Sequence, residues 1–127
     1  MKTKNSAMIA VLLFCCCLTA CTEAKRPIDQ PESAWKCEVA SIYFEVSEDC
    51  KITNATMLDN NGNTVSISLV FSDVNEAKVS ITNPEETETY ISGTCTFEKN
   101  SFTVLLTDIY NSSLSIPARK LTFKKTA

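Results

Sequence analysis

The sequence predicts an all-β antiparallel fold, and three observations carry the prediction. Apolar and polar residues alternate with a period of two in segment after segment, no stretch of ten or more residues keeps a period of 3.6, and short polar clusters separate the segments. A meander of about seven or eight short strands follows, because the separating turns are too short for crossovers. It must close into a small barrel or fold over as a sandwich, since a flat single layer would leave its apolar face in water.

Trp35 to Val46 is rich in aromatic and β-branched residues, and Ser47-Glu48-Asp49 turns it into a second strand from Cys50 to Leu58. Asp59-Asn60-Asn61-Gly62-Asn63 is the strongest hairpin signal, because Asn and Gly tolerate the positive φ such turns need. Val65, Ile67, Leu69 and Phe71 then form the inward set of one strand, and Ala77, Val79 and Ile81 repeat the pattern up to the Asn83-Pro84-Glu85-Glu86 turn. A short helix is expected at Ser72 to Ala77. Ile91, Gly93, Cys95 and Phe97 face inward on the next strand, and Glu98 to Ser101 turns it into Phe102 to Thr107. Leu114 to Ile116 and Leu121 to Phe123 close the chain, with Pro117 as a break. Arg119-Lys120 and Lys124-Lys125 read as the solvated face of an edge strand.

The 127 residues contain seven Cys, two Gly and no His, enough chain for one domain. Without His, the commonest general base and the commonest Zn ligand are missing, and no Ser or Cys has an imidazole to activate it. The chain is therefore expected not to be an enzyme and to need no cofactor and no metal. Asp59-x-Asn61-x-Asn63 opens like a calcium-binding loop, but Thr64 and Val70 stand where that loop needs Gly and Glu, so a hairpin turn is the better reading. Glu45, Glu48 and Asp49, and Glu85, Glu86 and Glu88, are acidic clusters at turns, where charges are ordinarily solvated.

The N-terminus reads as an address. Lys2 and Lys4 precede an uncharged run from Ala7 to Ala20, too short for a transmembrane helix and ordered like a secretory signal peptide. Leu18-Thr19-Ala20-Cys21 at its end resembles the lipobox of bacterial lipoproteins. That resemblance implies a lipid thioether on Cys21, cleavage between Ala20 and Cys21, and usually acylation of the new amino group. More than one acyl chain gives stable anchoring where a single chain would be marginal. The organisation expected is a leader over 1–20, which takes Cys15, Cys16 and Cys17 with it, a lipidated Cys and flexible tether over 21–33, and a β-domain over 34–127. Thr22, standing where Asp favours inner-membrane retention, points to the outer membrane of a bacterial cell envelope and leaves the leaflet open.

After processing, ten Lys and Arg face 15 Asp and Glu, a net charge of about −5 that disfavours nucleic acid as a partner. A monomer held to the membrane through the lipid on Cys21 is expected. The hairpin from Thr89 to Val104, the closing Ala118 to Lys125 strand and the leading Trp35 resemble small lipocalin-like lipoproteins of the Bacteroidetes, with Cys95 where those carry an aromatic residue. The resemblance implies a barrel or half-barrel and supplies no ligand.

The mature domain keeps Cys37, Cys50 and Cys95, an odd number for an oxidising compartment. With a hairpin about Ser47 to Asp49, Cys37 lies too far along from Cys50, so geometry prefers Cys37 or Cys50 with Cys95; three reduced thiols packed as small apolar groups are the alternative. Trp35, Tyr43, Tyr90 and Tyr110 either line a ligand mouth or belong to the core. Two functions are carried forward: an anchored binding module for a small ligand or glycan, and a protein–protein device such as an immunity lipoprotein or an inhibitor of an envelope-acting enzyme. A large apolar cavity would favour the first, and a packed interior with a protruding acidic loop the second.

Overall fold

A computed structural model describes residues 25–127 of the chain; the expected leader and the lipobox-like segment with Ala20 and Cys21 lie outside the described residues. Nine antiparallel strands form one nearly closed, barrel-shaped sheet: β1 Ser33–Cys37, β2 Ile42–Val46, β3 Ile52–Leu58, β4 Thr64–Ser66, β5 Ser68–Phe71, β6 Lys78–Thr82, β7 Thr89–Phe97, β8 Ser101–Ile109 and β9 Lys120–Lys125. Consecutive strands are neighbours throughout, apart from the β4/β5 break, and β9 pairs with β1 to bring the meander round on itself. The all-β meander read from the period-two alternation is therefore the observed fold.

The break between β4 and β5 is a kink inside the single strand expected over Val65 to Phe71. Its first half pairs with β3 and its second half with β6, and between them the Ile67 N–H donates to the Ala55 carbonyl at 3.0 Å. One strand thus serves both sides of the closing seam. The stretch from Trp35 to Val46 is likewise two strands. A turn over Glu38–Ser41 separates β1 from β2, with Ser41 at φ 55°. It escaped the sequence reading because no Gly, Asn or Pro marks it.

Three further expectations are corrected. Ser72 to Ala77 holds no helix; the loop is pinned by Asp73, whose carbonyl accepts the Ala77 N–H at 3.0 Å and whose side chain accepts the Glu76 N–H at 2.9 Å. β9 is no edge strand, since β8 and β1 flank it. The described part of the tether is folded: Pro27–Asp29 forms one turn of 3-10 helix, Pro27 is fully buried and Ile28 packs on the core. Arg26 holds this turn in place, with Nε 2.8 Å from Asp29 and Nη1 donating to the Ser72 carbonyl at 3.1 Å. Together with Ile52, Leu69 and Phe71, Ile28 lines a cavity of about 480 Å³ where β3 and β5 diverge. Apolar cover for an open seam outweighs the extended preference that Pro and alternating charges signalled.

Candidate functional site

The interior decides what kind of site the barrel can offer. Trp35, Phe44, Phe71, Phe97, Phe102 and Phe123 converge in one aromatic cluster, which takes in every Phe among the described residues. Phe102 is its hub: it stacks on Phe123 with centroids 4.5 Å apart and meets Trp35 and Phe71 edge-on, each at 5.6 Å. Ile42, Met57, Ile91 and Leu121 complete the filling and are fully buried. Each such side chain contributes about 1.5–3 kcal/mol by leaving water.

Both ends are covered as well. At one, Pro27 is fully buried and Ile28 packs on the core. At the other, the segment after β8 crosses to the β3/β4 hairpin, where Leu114 bridges Asp59, the Asn60 N–H donates to the Ser113 carbonyl at 2.8 Å and the Ser115 N–H donates to the Leu58 carbonyl at 2.9 Å. Leu114 is buried and Ile116 packs against the core beneath it. One cavity, lined by Ile28, Ile52, Leu69 and Phe71, reaches the edge of the core where β3 and β5 diverge, and another, lined by Lys36, Lys120 and Lys124, lies on the outer wall.

The aromatic residues singled out in the sequence do not meet at a mouth. Trp35 is a core residue at 0% exposure, its indole N–H satisfied by Ser33 Oγ at 2.9 Å. Tyr43 is on the outer side of β2 and donates its hydroxyl to Glu45, which also accepts from Asn54 at 2.8 Å. Those two hydrogen bonds hold the Glu45 carboxyl below the usual range, and the carboxylate pushes the Tyr43 phenol up. Tyr90 is half-buried, and Tyr110, whose N–H donates to the Tyr90 carbonyl at 2.7 Å, is 65% exposed.

The structure joins no two of the three cysteines: Cys37 and Cys95 are buried free thiols and Cys50 is an exposed one. β9 and β8 lie between β1 and β7, so Cys37 and Cys95 are three strand spacings apart along the sheet, about 14 Å, beyond the reach of a disulfide. Desolvation pushes the Cys95 thiol up to about 12 and raises Cys37 as well, although backbone hydrogen bonds at Ala40, Val39 and Thr122 oppose it there. Among the described residues no three His, Cys, Asp or Glu side chains converge as metal ligands.

The outer wall of β1 and β9 offers a different surface. A shallow groove of about 660 Å³ runs between them, lined by Lys36, Glu38, Val39, Lys120, Thr122 and Lys124 among others. Alternation along β9 buries Leu121 and Phe123 and turns Lys120, Thr122 and Lys124 outward. Lys36 is the direct cross-strand partner of Lys124. Like charges so placed have Cβ atoms about 5 Å apart and repel. The salt bridges among the described residues are Arg26–Asp29 and Lys51–Asp49, so Lys36, Lys120 and Lys124 have no carboxylate within 4.0 Å. Beside the groove, Thr96, Thr103 and Thr122 form a ladder across β7, β8 and β9. Lys36 drew no attention in the sequence because nothing there pairs β1 with β9. The alternation in Lys120-Leu121-Thr122-Phe123-Lys124 was visible, and it gave the face without the partner.

Comparison with protein-family profiles, with curated proteins and with solved structures returns no match for this chain. Its class is defined by its own geometry: a small antiparallel β-barrel with a filled lumen.

Proposed function

We propose that this protein is a lipid-anchored, non-enzymatic binding module of the bacterial cell envelope, and that it engages a glycan or other extended partner on its outer wall. The filled and covered lumen carries the reading. A barrel that hosts a small ligand keeps space inside, whereas here the aromatic cluster occupies that space. The lipobox-like Leu18 to Cys21 supports the anchor, and the absence of His from the sequence supports a non-catalytic role.

A second reading draws on the Asn83–Glu88 loop. Asn83 Oδ1 accepts the N–H groups of Thr87 and Glu88 at 2.8 and 2.9 Å, and Ser68 Oγ donates to Glu86 at 2.7 Å. Glu85 and Glu88 are exposed on this pre-formed loop, an arrangement suited to a basic protein partner such as an envelope-acting enzyme.

Two measurements test the proposal. Fatty-acid labelling and fractionation should place the full chain in the membrane fraction and release the Cys21→Ser variant, unlabelled; label persisting in that variant would refute the anchor. Native mass spectrometry of the detergent-purified protein should give the acylated chain without a small-molecule adduct. An adduct that survives micelle removal and is lost on denaturation would return the function to the lumen.

A further inference from the structure

Lysines do not gather on this molecule by composition. The mature chain carries ten Lys and Arg against 15 acids, yet Lys36, Lys120 and Lys124 share one groove whose single acidic lining residue is Glu38. Lys125 also lines the groove, and its ammonium donates to Gln30 Oε1 at 3.2 Å. The Lys36/Lys124 pairing is unfavourable by itself, and an anion between the two ammonium groups would reverse its sign. Outward positions on one strand recur about every 6.8 Å, so Lys120, Thr122 and Lys124 present ammonium, hydroxyl and ammonium over about 14 Å. A row of donors of that length suits an extended chain with repeated anionic groups.

The groove also discriminates among polyanions. It holds no aromatic side chain, so it lacks the stacking platform on which single-stranded nucleic acid binding rests. It has no Arg, Trp or Tyr and one exposed apolar residue, Val39, whereas the centre of a protein interface is enriched in aromatics and Arg and depleted in Lys. Saccharide chains bearing carboxylate, sulfate or phosphate match the remaining features, since ammonium groups meet the charges and Thr122 meets the hydroxyls.

We infer that the β1/β9 groove binds a polyanionic glycan through Lys36, Lys120, Lys124 and Thr122. This deepens the surface-binding reading and rests on it.

The test uses the full-length protein in nonionic detergent and a fluorescent oligogalacturonate, followed by anisotropy across a salt series. Neutral dextran and single-stranded DNA serve as comparison polymers. The oligogalacturonate should bind, with affinity falling as salt rises. Lys36→Gln, Lys120→Gln and Lys124→Gln combined should weaken binding by about tenfold or more and flatten the salt dependence, because fewer cations enter the complex. Lys51→Gln, Lys78→Gln and Lys99→Gln, an equal charge loss away from the groove, should stay within about twofold of the parent. Thr122→Glu sets a negative charge in the groove without removing a lysine, and should abolish binding even where the triple variant folds poorly.

Equal loss in both triple variants, DNA binding as tight as the oligogalacturonate, or no oligogalacturonate binding overturns the inference. Each of those results leaves the surface-binding reading standing while the lumen shows no adduct; an adduct in the lumen defeats the reading itself.

Discussion

The lumen and the β1/β9 wall are built from the same strands and obey opposite rules. On β9 the inward residues Leu121 and Phe123 are at 0% and 1% exposure and touch the aromatic cluster, while one position away Lys120, Thr122 and Lys124 stand in water without an ionic partner. The inner face spends nearly every side chain on packing. The outer face keeps a repulsive pair that packing does not require. Groups that stabilise the fold and groups free to bind are thereby separated by the pleat of a single strand.

Phe102→Ala removes the hub of the cluster and should cost about 3–5 kcal/mol in chemical denaturation, with groove binding retained under conditions where the variant is folded. A loss below about 1 kcal/mol would mean a lumen less tightly filled than described.

Gly93→Ala probes the wall itself. A Cβ there would meet Val104 Cγ1 at 2.6 Å and the Leu105 carbonyl oxygen at 2.9 Å, beside the β7/β8 irregularity, so a loss of about 1–3 kcal/mol is expected. An unchanged denaturation midpoint would show that β7 and β8 separate easily.

Alkaline titration sharpens the interior side. Cys95 keeps its proton in the folded state to about 12, against an ordinary thiol value of 9.0. The folded protein then holds more protons than the unfolded chain above pH 9, so stability is full below that pH and falls as pH rises toward 12. Cys95→Ala should remove part of this alkaline loss, measured as the difference in denaturation midpoint between about pH 7 and pH 10. A pH dependence equal to the parent's would place Cys95 in contact with water.

The smallest effect belongs to the outer wall. Lys36→Gln relieves the repulsion with Lys124 and should raise stability by about 0.2–1 kcal/mol at low salt while weakening anion binding. The gain should shrink as salt is added. A loss of stability would mean that the two lysines are already compensated.

Much of this fold was legible because alternation encodes burial directly. Ile91, Gly93, Cys95 and Phe97 all face the interior as read, and the Asp59 hairpin forms with Asp59 Oδ1 accepting the N–H groups of Asn61 and Asn63 at 2.9 and 2.8 Å. What stayed hidden were turns made without glycine. The left-handed conformation falls on Glu32, Ser41, Cys50, Asn54, Ala77 and Glu86 as well as on Gly62, so the usual punctuation is missing at Glu38–Ser41. The groove was illegible for a topological reason: alternation assigns a face to Lys36 and to Lys124, and only barrel closure makes them neighbours.

Thiol reactivity tests the filled lumen most directly. In the folded protein, reduced and then freed of reductant, a maleimide should modify Cys50 at once and leave Cys37 and Cys95 untouched until denaturant is added, when all three react. Modification of Cys37 or Cys95 in the folded state at the rate of Cys50 would mean an open lumen and would contradict the account.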